Sequence, residues 1–251
     1  MTLRSEIATP EGKRRYVRRL FATIANRYDF ITRFLSYGQD QRWKRRLIEL
    51  AKIGPSDRVL DLACGTGDIA EMAARRARSA VGLDVTLRML QLARVRGPDS
   101  RSGRGGADPH RIHLICADML ALPFSAGQFD VVTIGYGLRN VPDLAHASHE
   151  IHRVLAPGGR MLSLDFNRPE RAIVRAVYLA YLTVVGSALG WALHGDPDTY
   201  RYIPESIRNY PGAHGVARLL EQHEFTNVRV IPVLGGFMSI HVAVKPGSRA
   251  A

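Results

Sequence analysis

Cysteine is nearly missing from this chain: Cys64 and Cys116 are the only two among 251 residues. Their surroundings lack disulfide-like spacing, so a cross-linked scaffold is excluded and a reducing compartment is expected. Acidic residues are also in short supply, 23 against 35 Lys and Arg, which leaves a formal net charge of +12. Residues 1–58 hold fourteen of the basic residues and six of the acidic ones. Such a basic face suits nucleic acid, anionic lipid or an acidic protein, or is simply solvated. The N-terminal stretch MTLRSEIATPEGKRRYVRR has no apolar core, so no secretory signal is expected and a cytoplasmic location follows. Long apolar runs are absent apart from Ala176 to Leu193, eighteen residues without a charge. That length touches the threshold for a membrane span. Two glycines, two tyrosines, Thr183 and Ser187 interrupt it, and a cap over a site or an interfacial helix is the expectation.

What is present is a globular α/β pattern, since 46% hydrophobic content excludes general disorder. Residues 1–16 read as a flexible basic tail, followed by a single domain over 17–251. Within it, 17–53 are helical and suit a lid, and 58–170 alternate strands with helices. Residues 171–210 form a helical insertion, and 211–245 a last helix and hairpin. The strands read at RVLDLA (58–63), AVGLD (80–84), RIHLICA (111–117), DVVTI (130–134), GRMLSLDF (159–166), VRVIPVL (228–234) and FMSIHVAVK (237–245). A polar, Gly-rich loop is read at 97–110. Alternation of this kind implies a mostly parallel sheet covered on both faces.

The segment VLDLACGTGDIA (59–70) ends a buried strand in Gly65-Thr66-Gly67 and opens a helix. Glycines there let backbone approach a ligand, and free N–H groups point outward. Asp84, nineteen residues after Gly65, ends the second strand, where a carboxylate accepts ribose hydroxyls. Gly65, Gly67 and Ala70 also satisfy the dinucleotide pattern, so NAD stays a rival and a tight structural turn a third reading. Three features favour S-adenosylmethionine. Asp61, inside the strand, suits an ammonium and would repel a pyrophosphate. Asp118 and Met119 follow the third strand, where they suit an adenine amino group and its ring. The helical region before the first strand suits a lid over a small acceptor.

The segments LDLACGTGD, GLDVTLRML, ADMLALPF, FDVVTIGYGLRNVPD and VLAPGGRML occur in the order of class I S-adenosylmethionine-dependent methyltransferases, a Rossmann-like fold. With FATIANRYDFITRFLSYGQDQRWKR, YRYIPESIRNYP and LGGFMSIHVAVK, the chain from 17 to 245 resembles the ubiquinone/menaquinone biosynthesis C-methyltransferase family. The resemblance implies a seven-stranded sheet with one antiparallel strand and methylation of a ring carbon on a polyprenylated quinol. Cofactor contacts then fall on Thr66, Asp84, Asp118 and Met119, and Val85 and Gly135 are further candidates for the cofactor site, without a side-chain contact at Gly135. The family often has Asn-Ala where this chain has Asp118-Met119, and Ser at Gly135.

Carbon methylation requires an electron-rich ring carbon, which loss of a quinol proton provides. Arg139 and Asn140, leaving the fourth strand, are placed to stabilise a phenolate and orient a ring. The plainer reading pairs Arg139 with an acid and makes Asn140 a helix cap. Tyr28, Asp29 and Asp165 are weaker candidates for the proton path, and Tyr200, Arg201 and Arg208 for the acceptor pocket. His146, His149 and His152 share a helix face without further ligands, so no metal site is expected. A prenylated acceptor implies transient contact with an anionic membrane surface. Nucleic acid is not the expected partner, and self-association into a homo-oligomer stays open. Competing functions are methylation of nucleic acid or another small aromatic, and a cofactor-binding regulatory subunit without turnover.

Overall fold

The computed structural model describes residues 3–96 and 112–247. The loop read at 97–110 and Arg111, at the head of the third strand, lie outside the described residues.

Four helices precede the sheet: α1 (Leu3–Glu6), α2 (Pro10–Ile24), α3 (Tyr28–Leu35) and α4 (Asp40–Ala51). Helix α2 corrects the reading of residues 1–16 as a tail. Thr9 caps it, its Oγ1 accepting from Gly12 N at 3.1 Å, and Pro10 fills the first helical position, where no donor is needed. Val17, Leu20 and Ile24 form its buried face.

Strands β1 (Arg58–Leu62), β2 (Ser79–Asp84), β3 (Ile112–Cys116), β4 (Phe129–Gly135), β5 (Leu155–Phe166), β6 (Thr226–Val233) and β7 (Met238–Val244) make one sheet in the order β3-β2-β1-β4-β5-β7-β6. Only β7 runs against its neighbours, β5 and β6, as the alternating pattern and the hairpin implied. Strand order reverses between β1 and β4, so a crevice opens outside their carboxyl ends.

The remaining helices are α5 (Asp68–Ala74), α6 (Leu87–Arg96), α7 (Leu144–Val154), α8 (Ala172–His194), α9 (Tyr202–Arg208) and α10 (Gly212–Gln222). Leu47, Ile48 and Ala73, from α4 and α5, pack on Val59, Val131 and Leu162 of the sheet. On the other face Ile151, Val216 and Leu220, from α7 and α10, pack on Leu60, Val132 and Met161. Burial on both faces is why β1 and β4 read as near-continuous apolar runs. Each of these large side chains contributes about 1.5–3 kcal/mol.

Pro157-Gly158-Gly159 lie inside β5 rather than in a turn that ends α7. The chain passes from Val154 directly into β5, and these three residues bend that strand where its pairing with β4 shifts register. Helix α8 buries Leu179, Leu182, Gly186 and Gly190 and leaves most of its surface free. A Cβ at Gly190 would lie 2.4 Å from Asp196 O, so glycine is required for the following turn to lie against the helix. That turn brings Tyr200 and Tyr202 into a third core with Val17, Leu20, Ile24 and Ile31. The N-terminal helices and the mid-chain insertion therefore fold together as one roof over the carboxyl end of the sheet.

Candidate functional site

The cleft under this roof is built around the turn after β1. Ala63 and Gly65 take positive φ of 50° and 55°, and Gly67, at 89°, begins α5. Asp84 fastens this turn: its Oδ2 accepts from Gly65 N at 2.9 Å and its Oδ1 from Thr86 N at 2.8 Å. Burial nevertheless holds the Asp84 carboxyl above its usual range. Gly65, Asp84, Val85, Asp118, Met119 and Gly135 all line the cleft, so six expected contacts converge there. Gly67 lines no described cavity. Asp118 Oδ1 accepts from Leu120 N at 3.0 Å, and its Oδ2 is 3.2 Å from Arg14 Nε. At Gly135 a Cβ would meet Ile69 Cδ1 at 2.4 Å, so a serine there would require Ile69 to turn aside.

Asp61 and Thr66 face a smaller cavity beside the glycine turn, lined also by Tyr28, Lys44 and Asp68. Thr66 Oγ1 donates to Asp29 Oδ1 at 2.8 Å. Asp61 pairs in register with Thr133 of β4, whose Oγ1 donates to its Oδ1 at 2.7 Å. Asp61 Oδ2 has no hydrogen-bond partner although the residue is 1% exposed. Burial, countered only in part by Thr133, pushes this carboxyl up to about 7. An orphaned buried carboxylate oxygen beside a glycine turn fits the ammonium of S-adenosylmethionine and does not fit a pyrophosphate.

A second cavity, mostly apolar, adjoins the first. Leu20, Ile24, Ile31, Tyr178, Leu182 and Tyr200 are among its walls, and Phe21, Tyr28 and Tyr136 border both spaces. The adjacent pair after β4 divides between them: Arg139 lines the apolar cavity and Asn140 the cofactor cleft. Arg139 Nη1 donates to Asn140 Oδ1 at 3.1 Å, and Asn140 Nδ2 donates to Tyr136 O at 2.9 Å. Both residues are buried. The guanidinium carbon of Arg139 is 4.9 Å from the centre of the Phe166 ring, within cation–π range.

The plainer reading of the pair holds for one residue and not the other. Arg139 does pair with an acid, its Nε lying 3.4 Å from Asp165 Oδ1. Asn140 caps nothing: Asp143 does so, its side chain accepting from His146 N at 2.9 Å. Asp165 is corrected from a proton-path candidate to a support. It lies behind Arg139, lines neither cavity, and accepts from the backbone N–H of Arg139 and Phe166. Tyr28 borders both spaces, and burial raises its phenol, so it is held as a donor.

Other expected residues fall elsewhere. Tyr200 lines the apolar cavity, whereas Arg201 and Arg208 turn outward to pair with Asp198 and Glu205. His146 bonds Leu120 O, and His152 packs edge-on against Phe225. No metal-ligating cluster occurs among the described residues. Cys64 is packing, its Sγ 3.0 Å from where a Cβ on Gly82 would lie. His241 is core, held below its usual range by burial, with Nε2 2.9 Å from Ala213 O.

Sequence reasoning missed two groups. Lys13 Nζ donates to Arg139 O at 2.9 Å and Val141 O at 2.7 Å, clamping α2 onto the site. Burial, then repulsion by Arg139, brings its ammonium down to about 8. The helix-start signal Thr9-Pro10-Glu11 could have placed it. The second group is a buried ion network. Lys44 Nζ is 2.8 Å from both Asp40 Oδ2 and Asp68 Oδ2, and Asp40 Oδ1 accepts from Tyr136 OH at 2.8 Å. Tyr136 itself sits at φ 59°, a conformation that side chains rarely adopt.

The model of the ubiE/COQ5 methyltransferase family matches residues 9–245. A demethylmenaquinone methyltransferase of Thermus thermophilus is 40% identical over 229 residues, covering 90% of this chain and all of that protein. A ubiquinone/menaquinone biosynthesis C-methyltransferase UbiE of a Geobacter species is 36% identical, covering 91% of this chain and 96% of its own. Among solved structures, a SAM-dependent methyltransferase of Thermotoga maritima superposes with a TM-score of 0.62 at 16% identity, covering 91% of this chain and 99% of that one. Another from Aquifex aeolicus gives 0.56 at 16% identity, with 80% and 88% covered. At that identity the structures speak for the fold alone.

Proposed function

This chain belongs to the ubiE/COQ5 methyltransferase family, and from that premise we propose how its two cavities divide the work of methylating a quinol. The enzyme is an S-adenosylmethionine-dependent C-methyltransferase of menaquinone or ubiquinone biosynthesis. When bound, the cofactor supplies a sulfonium methyl that is already a strong electrophile. The chain's part is to align the acceptor carbon roughly 3 Å from that methyl and to make the carbon electron-rich.

The carrying observation is the apolar cavity that meets the cofactor cleft at Arg139 and Asn140. A demethylated quinol ring enters this cavity with its prenyl tail among Leu20, Ile24, Ile31 and Leu182. Arg139 has five N–H donors, of which Asp165 and Asn140 hold only some. The rest meet a quinol oxygen and stabilise it as a phenolate. A guanidinium offers only donors and so is not the base. The hydroxyl proton passes to water in the cleft, with Tyr28 donating to the opposite oxygen. After transfer the methylated ring carbon sheds its own proton to water and the phenolate oxygen is reprotonated. This restores the aromatic quinol, with one proton released overall. Asn140 keeps the guanidinium turned toward the ring. Asp61 receives the cofactor's ammonium, Asp84 its ribose hydroxyls, and Asp118 with Met119 its adenine. Thr66 and Gly135 shape the space between.

The acceptor's tail brings the enzyme to a lipid surface on its cytoplasmic side. Helix α8 has a mean hydropathy of 1.7 over its most apolar window, of which 17% is buried. Ile173, Val177, Val184 and Trp191 are exposed and fall on one stripe of this helix. Exposed Phe30 and Phe34 on α3 add to it, and the hydroxyls of Tyr37 and Tyr181 bond each other at the cavity edge. An interfacial helix of this kind lies in the headgroup boundary. Incubation with methyl-labelled S-adenosylmethionine and reduced demethyl quinols tests the reading: label must appear in the lipid-extractable quinol.

A further inference from the structure

The acceptor cavity and the cofactor cleft reach the outside at different places. Among the described residues lining the acceptor cavity, the exposed ones are Tyr37, Tyr181 and Leu234, at 67%, 43% and 45%. Those of the cofactor cleft are Arg14 and Arg18 of α2. A polar nucleoside thus passes two cations at its door, and an apolar acceptor passes two tyrosines and a leucine at the other. Across the tyrosine door the hydroxyls of Tyr37, in the turn after α3, and Tyr181 of α8 bond each other. Tyr37 takes φ 51°, where glycine or asparagine is easier to place, so the turn itself does not ask for a tyrosine.

Beyond this door lies an outer groove between α3 and α8, whose walls include Arg33, Phe34, Leu35 and Val185. Leu35, Tyr37 and Tyr181 line both the groove and the acceptor cavity, so the two spaces meet there. Tyr181 also belongs to the exposed stripe of α8, since Val177, Tyr181, Val184 and Trp191 follow one another at helical spacing. The buried ring site therefore connects, past one pair of tyrosines, to the apolar surface. We propose that Tyr37 and Tyr181 form a gate for the acceptor's prenyl tail, which lies in the groove beyond them and runs on into lipid while the ring stays beside Arg139. This rests on the acceptor reading above and adds a tail subsite and a route separate from that of the cofactor. A hydrogen bond between two exposed hydroxyls exchanges readily with water, so it closes the door without locking it. The tail is the occupant because the groove continues the acceptor cavity, which only a chain attached to the ring would follow inward. Spent cofactor can then leave past Arg14 and Arg18 while the tail remains in lipid.

Reversible labelling at the gate separates the outcomes. Y37C carries a new exposed thiol, and a bulky disulfide-forming reagent attached there fills the door. Wild type treated alike controls for the free thiols of Cys64 and Cys116. Both proteins are assayed with S-adenosylmethionine and two reduced demethyl quinols, one with a long prenyl tail and one with none. Both quinols are dispersed in detergent, so that vesicle docking does not enter. Labelling Y37C should cut kcat/KM for the long-tailed quinol roughly tenfold or more. It should leave kcat/KM for the tail-less ring, and affinity for S-adenosylhomocysteine, within about threefold. A thiol reductant should restore the loss. V185W, which crowds the groove and not the acceptor cavity, should give the same split through KM with kcat unchanged. A loss shared by both acceptors, or no loss with the long tail, overturns the inference. A wild-type protein that methylates neither quinol overturns the acceptor reading and this inference with it.

Discussion

Nε of Arg139 lies 3.4 Å from Oδ1 of Asp165, and the backbone N–H of Arg139 donates to Oδ2 of the same carboxylate at 3.1 Å. One acid thus fixes both the turn after β4 and the charged group that the turn presents. Burial raises the Asp165 carboxyl even with Arg139 beside it, so the pair is strained by desolvation and depends on both members. D165N leaves the guanidinium buried without its counter-charge. It should cost about 3–5 kcal/mol in chemical denaturation and reduce kcat as well. R139A should reduce kcat by roughly 10²–10³-fold while affinity for S-adenosylhomocysteine stays within about threefold, as measured by calorimetry.

Asn140 and Asp143 make opposite predictions. D143A removes the cap of α7 and should cost about 1 kcal/mol with turnover unchanged. N140A leaves the helix intact but frees the Arg139 guanidinium and the Tyr136 carbonyl. It should lower kcat about tenfold or more with little change in circular dichroism. Thermal melts and initial rates on the two variants check both.

Much of this was legible in the sequence because strand ends and turns have local signatures. The glycine turn, Asp84 and Arg139-Asn140 sit where periodicity changes from strand to turn, and the cleft forms there. What escaped notice depends on tertiary contact. Lys13 and Lys44 belong to helices whose pattern announces only an apolar face; nothing local says that their ammonium groups turn inward to carbonyls and carboxylates 24 to 128 residues away. The capping role of Asp143 was legible, since Asp before an apolar helix is an ordinary start signal. Arg201 and Arg208 were misread for the opposite reason. Their segment does line the acceptor space through Tyr200 and Tyr202, while the arginines follow helix phase outward.

The orphan Asp61 predicts a pH-dependent penalty. Its folded pKa of about 7 lies above the ordinary 3.8, so the folded chain binds the proton more tightly than the unfolded one. Stability from this group is full below the unfolded value and is lost as pH rises toward and through 7. D61N should therefore raise Tm more at pH 8 than at pH 5, by several degrees, while weakening S-adenosylhomocysteine binding. A larger gain at pH 5 than at pH 8 would contradict the assignment. Scanning calorimetry across pH 5–8 checks it.

Helix α8 offers a test of membrane contact. V177E and V184E together place two charges on the exposed stripe at positions that touch no core. They should leave Tm within about 1 °C per site, as exposed substitutions do, yet reduce sedimentation with vesicles of mixed anionic and neutral lipid. Binding should also weaken between low and high salt if the basic residues contribute. Activity on a short-tailed quinol dispersed in detergent should be unaffected.

Activation of a quinol ring carbon by Arg139 can be read from where the transferred methyl group arrives. The most direct measurement gives the enzyme methyl-labelled S-adenosylmethionine and a reduced demethyl prenyl quinol, then locates the label by carbon NMR, with R139A in parallel. Label is expected on a ring carbon with wild type and nearly absent with R139A, although R139A still binds S-adenosylhomocysteine. Label on a quinol oxygen, or undiminished ring-carbon label with R139A, would contradict it.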